Sequence, residues 1–156
     1  MKNLKLYLDP EEDESINIGL VRLAKPLPEH EFFYLLNDIN HLSFKRIPDL
    51  DIEGEFFHYF HPVFEAYHRE FKNQILFIKN RSTEVNKKKE ITQLFADEDD
   101  VNFLLPNFKD VDYLIKTSDN IAEFSLILLP ENIMFQIQNY ELTSEEELYH
   151  LIQYYE

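Results

Sequence analysis

The chain has no cysteine and no tryptophan, and glycine occurs only twice in 156 residues. Without cysteine there is no disulfide, no thiol nucleophile, no iron–sulfur cluster and no cysteine-bearing zinc site. Gly19 and Gly54 stand far apart. A Walker A loop or a dinucleotide fingerprint needs several close glycines so that backbone N–H groups can approach phosphate, so those classes are excluded. Positive charge is also scarce, with 15 Lys and Arg against 30 Asp and Glu and a formal net charge of −15. A polyanion such as nucleic acid, or an anionic membrane surface, is repelled on average. Long apolar runs are missing too: FSLILLP is too short to span a bilayer, and the opening KNLKLYLDPEEDE has no apolar core followed by a cleavage site. The expectation is a cytoplasmic protein that binds neither membrane nor nucleic acid.

What is abundant is the flat ring. Apolar residues make up 44% and aromatic residues 15%, all Phe and Tyr. A chain of this length fits one domain and buries roughly two-thirds of its unfolded surface, enough for a core without staples.

INIGLVRLA, from Ile16 to Ala24, is rich in β-branched and aliphatic residues and reads as a strand. In PLPEHEFFYLLNDINH, Pro28 opens a helix, Glu29 and Glu31 suit its positive end, and Phe32, Leu35, Leu36 and Ile39 form one stripe. LSFKRI, Leu42 to Ile47, alternates like a half-wet strand. EFFHYFHPVFEAYHREF and NQILFIKNRS read as a long hairpin turning near HREFKN. Residues 82–100 form a polar surface excursion with room for one short helix. Two short strands, Val101 to Leu105 and Val111 to Lys116, flank Pro106, which cannot donate to a central ladder. Residues 119–129 suit a helix, with a strand as the alternative; IMFQIQNYEL is a strand. At the tail, Ser144 and Glu147 form a capping box ahead of a stripe of Leu148, Leu151, Ile152 and Tyr155. The fold class is therefore α+β in one domain, 1–156: an antiparallel sheet with helices packed on one face, two β-α-β halves of ferredoxin-like layout, and a C-terminal helix.

LLPNFKDVDYLI, with NIGLVRL before the first helix and ILFIKNRS before the excursion, resembles a family of uncharacterised bacterial proteins named after its IPExxxDY signature. Leu105 and Pro106 match the start of the signature and Asp112 and Tyr113 its end. Asn107 stands where the signature has Glu, and the spacing is one residue longer. The resemblance covers roughly Leu4 to Tyr140; it implies a small α+β domain and brings no catalytic residue, cofactor or ligand with it.

The stretch from Glu55 to Phe71 carries His58, His61 and His68 among seven aromatic residues. On a helix His58 and His61 would share a side and suit a metal. Pro62 and the aromatic content favour a strand, where His58 points with Phe56, Phe60 and Phe64 while His61 points with Phe57, Tyr59 and Val63. His58 and His68 share a face but lie about 33 Å apart along a strand. No metal site follows. Asp112 and Tyr113, adjacent on a strand, also face opposite ways, and an Asp raised into a general acid would need a partner that the sequence does not name. The acidic runs DPEEDE, DEDD and SEEE read as solvated loops and helix starts.

Two functions are carried forward. The first is a non-enzymatic domain without cofactor that acts through protein contacts, as a homodimer or adaptor, using the stripe of Leu148, Leu151, Ile152 and Tyr155 and the second aromatic face of the 55–71 strand. The second is a small-molecule binding or catalytic pocket with aromatic walls, its polar groups supplied by His58 or His61 and Asp112 or Tyr113.

Overall fold

The computed structural model describes residues 15–70, 72–87, 100–118, 124, 127, 130 and 132–152. In chain order the elements are β1 (Ile16–Val21), α1 (Glu29–Asn40), β2 (Lys45–Glu53), β3 (Phe57–His68), β4 (Asn73–Lys79), β5 (Glu84–Lys87), β6 (Tyr113–Thr117), β7 (Gln138–Leu142) and α2 (Glu147–Ile152). All strand pairs are antiparallel, in the order β2-β3-β4-β6-β1-β7, with β5 paired to β3 beside the end of β4. The fold is α+β and rich in sheet.

Each side of this sheet is covered by its own chain, and the two sides differ in chemistry. On one, α1 lays Phe32, Phe33 and Leu36 onto Val21, Phe64, Ala66, Ile75, Phe77, Tyr113 and Ile115, with Phe44 closing the end. On the other, aliphatic Ile18, Leu20, Leu50, Val63, Leu76, Ile78, Leu114 and Leu142 meet Leu104, Leu105 and Val111 and the α2 residues Leu148, Tyr149 and Ile152. The period of two explains the division: Ile75 and Phe77 turn to one cluster while Leu76 and Ile78 turn to the other. The two helices thus lie on opposite faces rather than one. Strands β6, β4 and β3 separate β1 from β2, so the first β-α-β unit crosses over three strands rather than forming a ferredoxin-like half.

Helix α1 starts at Pro28, whose extended backbone (φ −63°, ψ 150°) turns its carbonyl toward the N–H groups of Glu31 and Phe32. It stops at His41 in the left-handed region (φ 54°), and Asn37 reaches past that turn to hold Phe44 by its backbone, Phe44 N–H donating to Oδ1 at 2.7 Å.

Pro62 sits inside β3, a strand with neighbours on both sides. On one side β2 carries an extra residue, the register shifting between Ile47 and Leu50; on the other, β4 ends its pairing at Val63↔Ile78 and β5 begins at Phe60↔Glu84. The imide that lacks a donor falls where neither neighbour is in register. The face alternation of β3 runs through it unbroken, with Tyr59, His61 and Val63 on one side and His58, Phe60 and Phe64 on the other.

Two further segments differ in detail from expectation. Glu84–Lys87, inside the excursion, is a strand paired to β3, and residues 88–99, where the short helix has room, lie outside the described residues. Val101 to Leu105 is reduced to one bridge between Phe103 and Arg81, because Asn80 takes the backbone of Leu104 and Leu105 instead. The helix expected over 119–129 falls mainly outside the described residues. No helix among the described residues is long and apolar enough to cross a membrane.

Candidate functional site

His61 is fully buried. Its Nδ1 lies 2.9 Å from the carbonyl of Lys79, which can only accept, so Nδ1 carries the proton. Nε2, 3.1 Å from Asn102 Nδ2, then accepts from that amide. One neutral imidazole ties β3 to the last residue of β4 and to the segment that begins at Asn102. Burial lowers its pKa below 6.5, against the smaller opposing effects of the Lys79 carbonyl and the charge of Asp49.

A sign follows for stability. The unfolded chain binds the His61 proton more readily, so the stabilisation is fully present above pH 6.5 and is lost as pH falls through the lowered folded value. Urea midpoints measured from pH 7.5 to 5 should fall more steeply for the wild type than for His61→Gln; parallel slopes would show that His61 is not the linked group.

His58 lies on the other face of β3, against Phe60 (ring centroids 4.7 Å apart), with its Nε2 3.7 Å from Asp51. Asp112 and Tyr113 also part company. Asp112 closes the end of β1: its Oδ2 accepts the Leu23 N–H at 2.8 Å and its own N–H donates to the Val21 carbonyl at 2.8 Å. Tyr113 is buried in the aromatic cluster, stacked on Phe32 at 5.3 Å, with Lys79 Nζ 5.6 Å from its ring centre. Burial, then the charges of Glu29 and Asp112, raises its phenol pKa far above the usual range. His61 and Tyr113 are on opposite faces of the sheet, so the four residues do not converge on one cavity. Among the described residues no group of three or more His, Asp or Glu side chains is placed to hold a metal ion.

The terminal stripe divides. Leu148 and Ile152 are buried in the aliphatic core, whereas Leu151 is half-buried and packs at its edge; Tyr155 lies outside the described residues. The second face of the 55–71 strand, expected to await a partner, is covered at Tyr59, His61 and Val63. Residues 102–111 and α2 supply that side of the core, so the free surface lies beyond them.

There a cleft of about 340 Å³ opens between α2 and residues 102–108, with Ile52 and Tyr140 at its sides. Leu104, Leu105, Phe108, Leu148 and Leu151 supply apolar walls, and Asn102, Asn107, Glu146 and Glu147 the polar ones. The Tyr140 hydroxyl faces both carboxylate oxygens of Glu146, at 3.1 and 3.3 Å, and donates to them. Burial, with Glu146 adding to it, raises the Tyr140 pKa, so the phenol keeps the proton this bond requires.

One wall of the cleft is shaped by Asn80, fully buried just after β4. Its Nδ2 donates to the carbonyls of Phe108 (2.9 Å) and Val111 (3.1 Å), and its Oδ1 accepts the Leu105 N–H at 2.9 Å. Its backbone adds bonds to the Asp112 carbonyl and the Leu104 N–H. The signature-like residues are therefore folded around Asn80, leaving Pro106 and Asn107 exposed at the rim. Asn80, Asn102, Tyr140 and Glu146 were not legible as site residues in the sequence. A lone Asn carries no spacing signal, and the Tyr140–Glu146 pair spans a strand end and a helix start.

Comparison with family models, with curated proteins and with solved structures finds no match for this chain.

Proposed function

We propose that the chain is a non-enzymatic binding domain that acts through protein contacts, and that the cleft between α2 and residues 102–108 makes them. The observation that carries this is a contrast. The side chains able to do chemistry, His61, Asp112 and Tyr113, are engaged by backbone groups or packed in the core and do not line the cleft, whose walls are Leu and Phe side chains with a few polar groups at the rim. At about 340 Å³ it is at the small end of the ~300–1,000 Å³ usual for ligand sites. That is room for about one or two side chains of a partner, as in a groove that receives an anchor residue. Kinship with the IPExxxDY proteins belongs to the same proposal, supported by the order of the three matching segments along the chain.

A phage-displayed random peptide library selected on the immobilised chain tests it, with Leu151→Arg as the blocked control. Leu151 is only half-buried, so the substitution should leave the urea midpoint near that of the wild type. Selected peptides should shift the amide resonances of Phe103, Tyr140 and Leu151 and bind Leu151→Arg about tenfold or more weakly. Failure to enrich any peptide, or equal binding to both proteins, overturns the proposal.

A further inference from the structure

We infer that the cleft selects a cationic segment of a protein partner: a Lys or Arg side chain flanked by large apolar residues. This rests on the contact reading above and adds the chemistry of the occupant.

Among the described residues the charged ones that line the cleft are Glu146 and Glu147, with no Lys, Arg or His beside them in the lining. Among the described residues neither carboxylate meets a cation at ion-pair distance; the ion pairs found among those residues involve Asp110, Glu29, Asp49 and Asp51. Glu146 is half-buried and oriented by the Tyr140 hydroxyl, which shares one proton between its two oxygens and leaves both able to accept again. Beside it Phe108 and Tyr140 meet edge to face, centroids 5.3 Å apart at 68°. A ring face next to an oriented carboxylate suits an ammonium or guanidinium whose methylene stem lies along Leu148 and Leu151. An anionic group would meet two carboxylates with no compensating cation among the described lining residues. The net charge of −15 acts in the same sense at longer range, speeding the approach of a basic partner in a salt-dependent way.

Three acetylated, amidated hexapeptides, Ser-Leu-Xaa-Phe-Leu-Ser with Xaa as lysine, norleucine or glutamate, separate charge from apolar fit. Titrated against the full chain and followed by the same amide resonances, the lysine peptide should bind about tenfold tighter than norleucine, and glutamate weakest. In Glu146→Gln combined with Glu147→Gln the lysine and norleucine affinities should converge to within about twofold. Leu151→Arg should lose all three.

If the peptides bind the cleft with equal affinity, the charge inference is overturned and the contact reading stands. A lysine preference that survives the double glutamine substitution also overturns it, since the preference then comes from net charge and not from these carboxylates. If the lysine peptide does not bind at all, the inference fails, and the library selection decides separately whether the contact reading falls with it.

Discussion

Asn80→Ala should destabilise the protein by roughly 3–5 kcal/mol, a large part of the stability of a domain this size. Three backbone groups lose their side-chain partner at once: the Leu105 N–H and the carbonyls of Phe108 and Val111. Asn80 is fully buried, so water cannot replace the amide without entering the core. The loss should be local before it is global. Amide exchange at Leu105 should rise well above the average for the sheet, and the cleft wall should loosen. Asn80→Asp is a sharper version. It keeps an oxygen for the Leu105 N–H but turns a carboxylate oxygen toward two carbonyls, raising its pKa in the folded state. Its deficit at pH 7 should therefore shrink as pH falls and the carboxyl is protonated. A urea midpoint for Asn80→Ala within about 1 kcal/mol of wild type, with Leu105 still protected, would rule out the hub.

Phe33→Ala should cost about as much, roughly 3–5 kcal/mol, for a different reason. Its ring stacks on Phe64 at 4.0 Å and meets Phe32, Phe44, Phe77 and Tyr113 at 5.1 to 5.5 Å, so truncation opens a cavity that five rings cannot close. Phe33→Leu keeps most of the burial and should cost about 1–2 kcal/mol, the part owed to ring geometry. Tyr34, one residue on, is 68% exposed and serves as control. If Tyr34→Ala and Phe33→Ala shift the urea midpoint equally, the aromatic cluster is not the anchor of α1.

Helix α1 shows how much of the fold could be read and where reading stopped. Its start, end and amphipathic character follow from Pro28, the early glutamates and helical spacing. Phe33 does not fall on the expected stripe of Phe32, Leu35, Leu36 and Ile39, yet it is buried while Leu35 and Ile39 are half-buried. Spacing gives an arc, and the sheet beneath decides which part of it is covered. For β3 the period of two was sufficient, and His58 and His61 part as that period requires. Its Pro62 could not be explained from the strand itself, because the accommodation lies in the bulge of β2 and the break between β4 and β5. Asp112 and Tyr113 could be separated by parity, but the backbone group that Asp112 would close, Leu23 N–H, depends on β1 lying beside β6. Strand order, and with it the cleft, is set by contacts between residues far apart in sequence, where local pattern is silent.

The place of β1 also has a consequence for biosynthesis. Both of its partners, β6 and β7, are made late, from residues 113–117 and 138–142. A ribosome delivers β1 and α1 early, and the hairpin of β3 and β4 can form behind them. But Phe32 and Phe33 have no Tyr113 to pack on until most of the chain has emerged. During that interval the nascent chain displays an aromatic helix face and an unpaired strand, the kind of surface that chaperones hold and that crowded chains share. Translation pauses placed before residue 113 should prolong this exposure, and pauses after residue 142 should not.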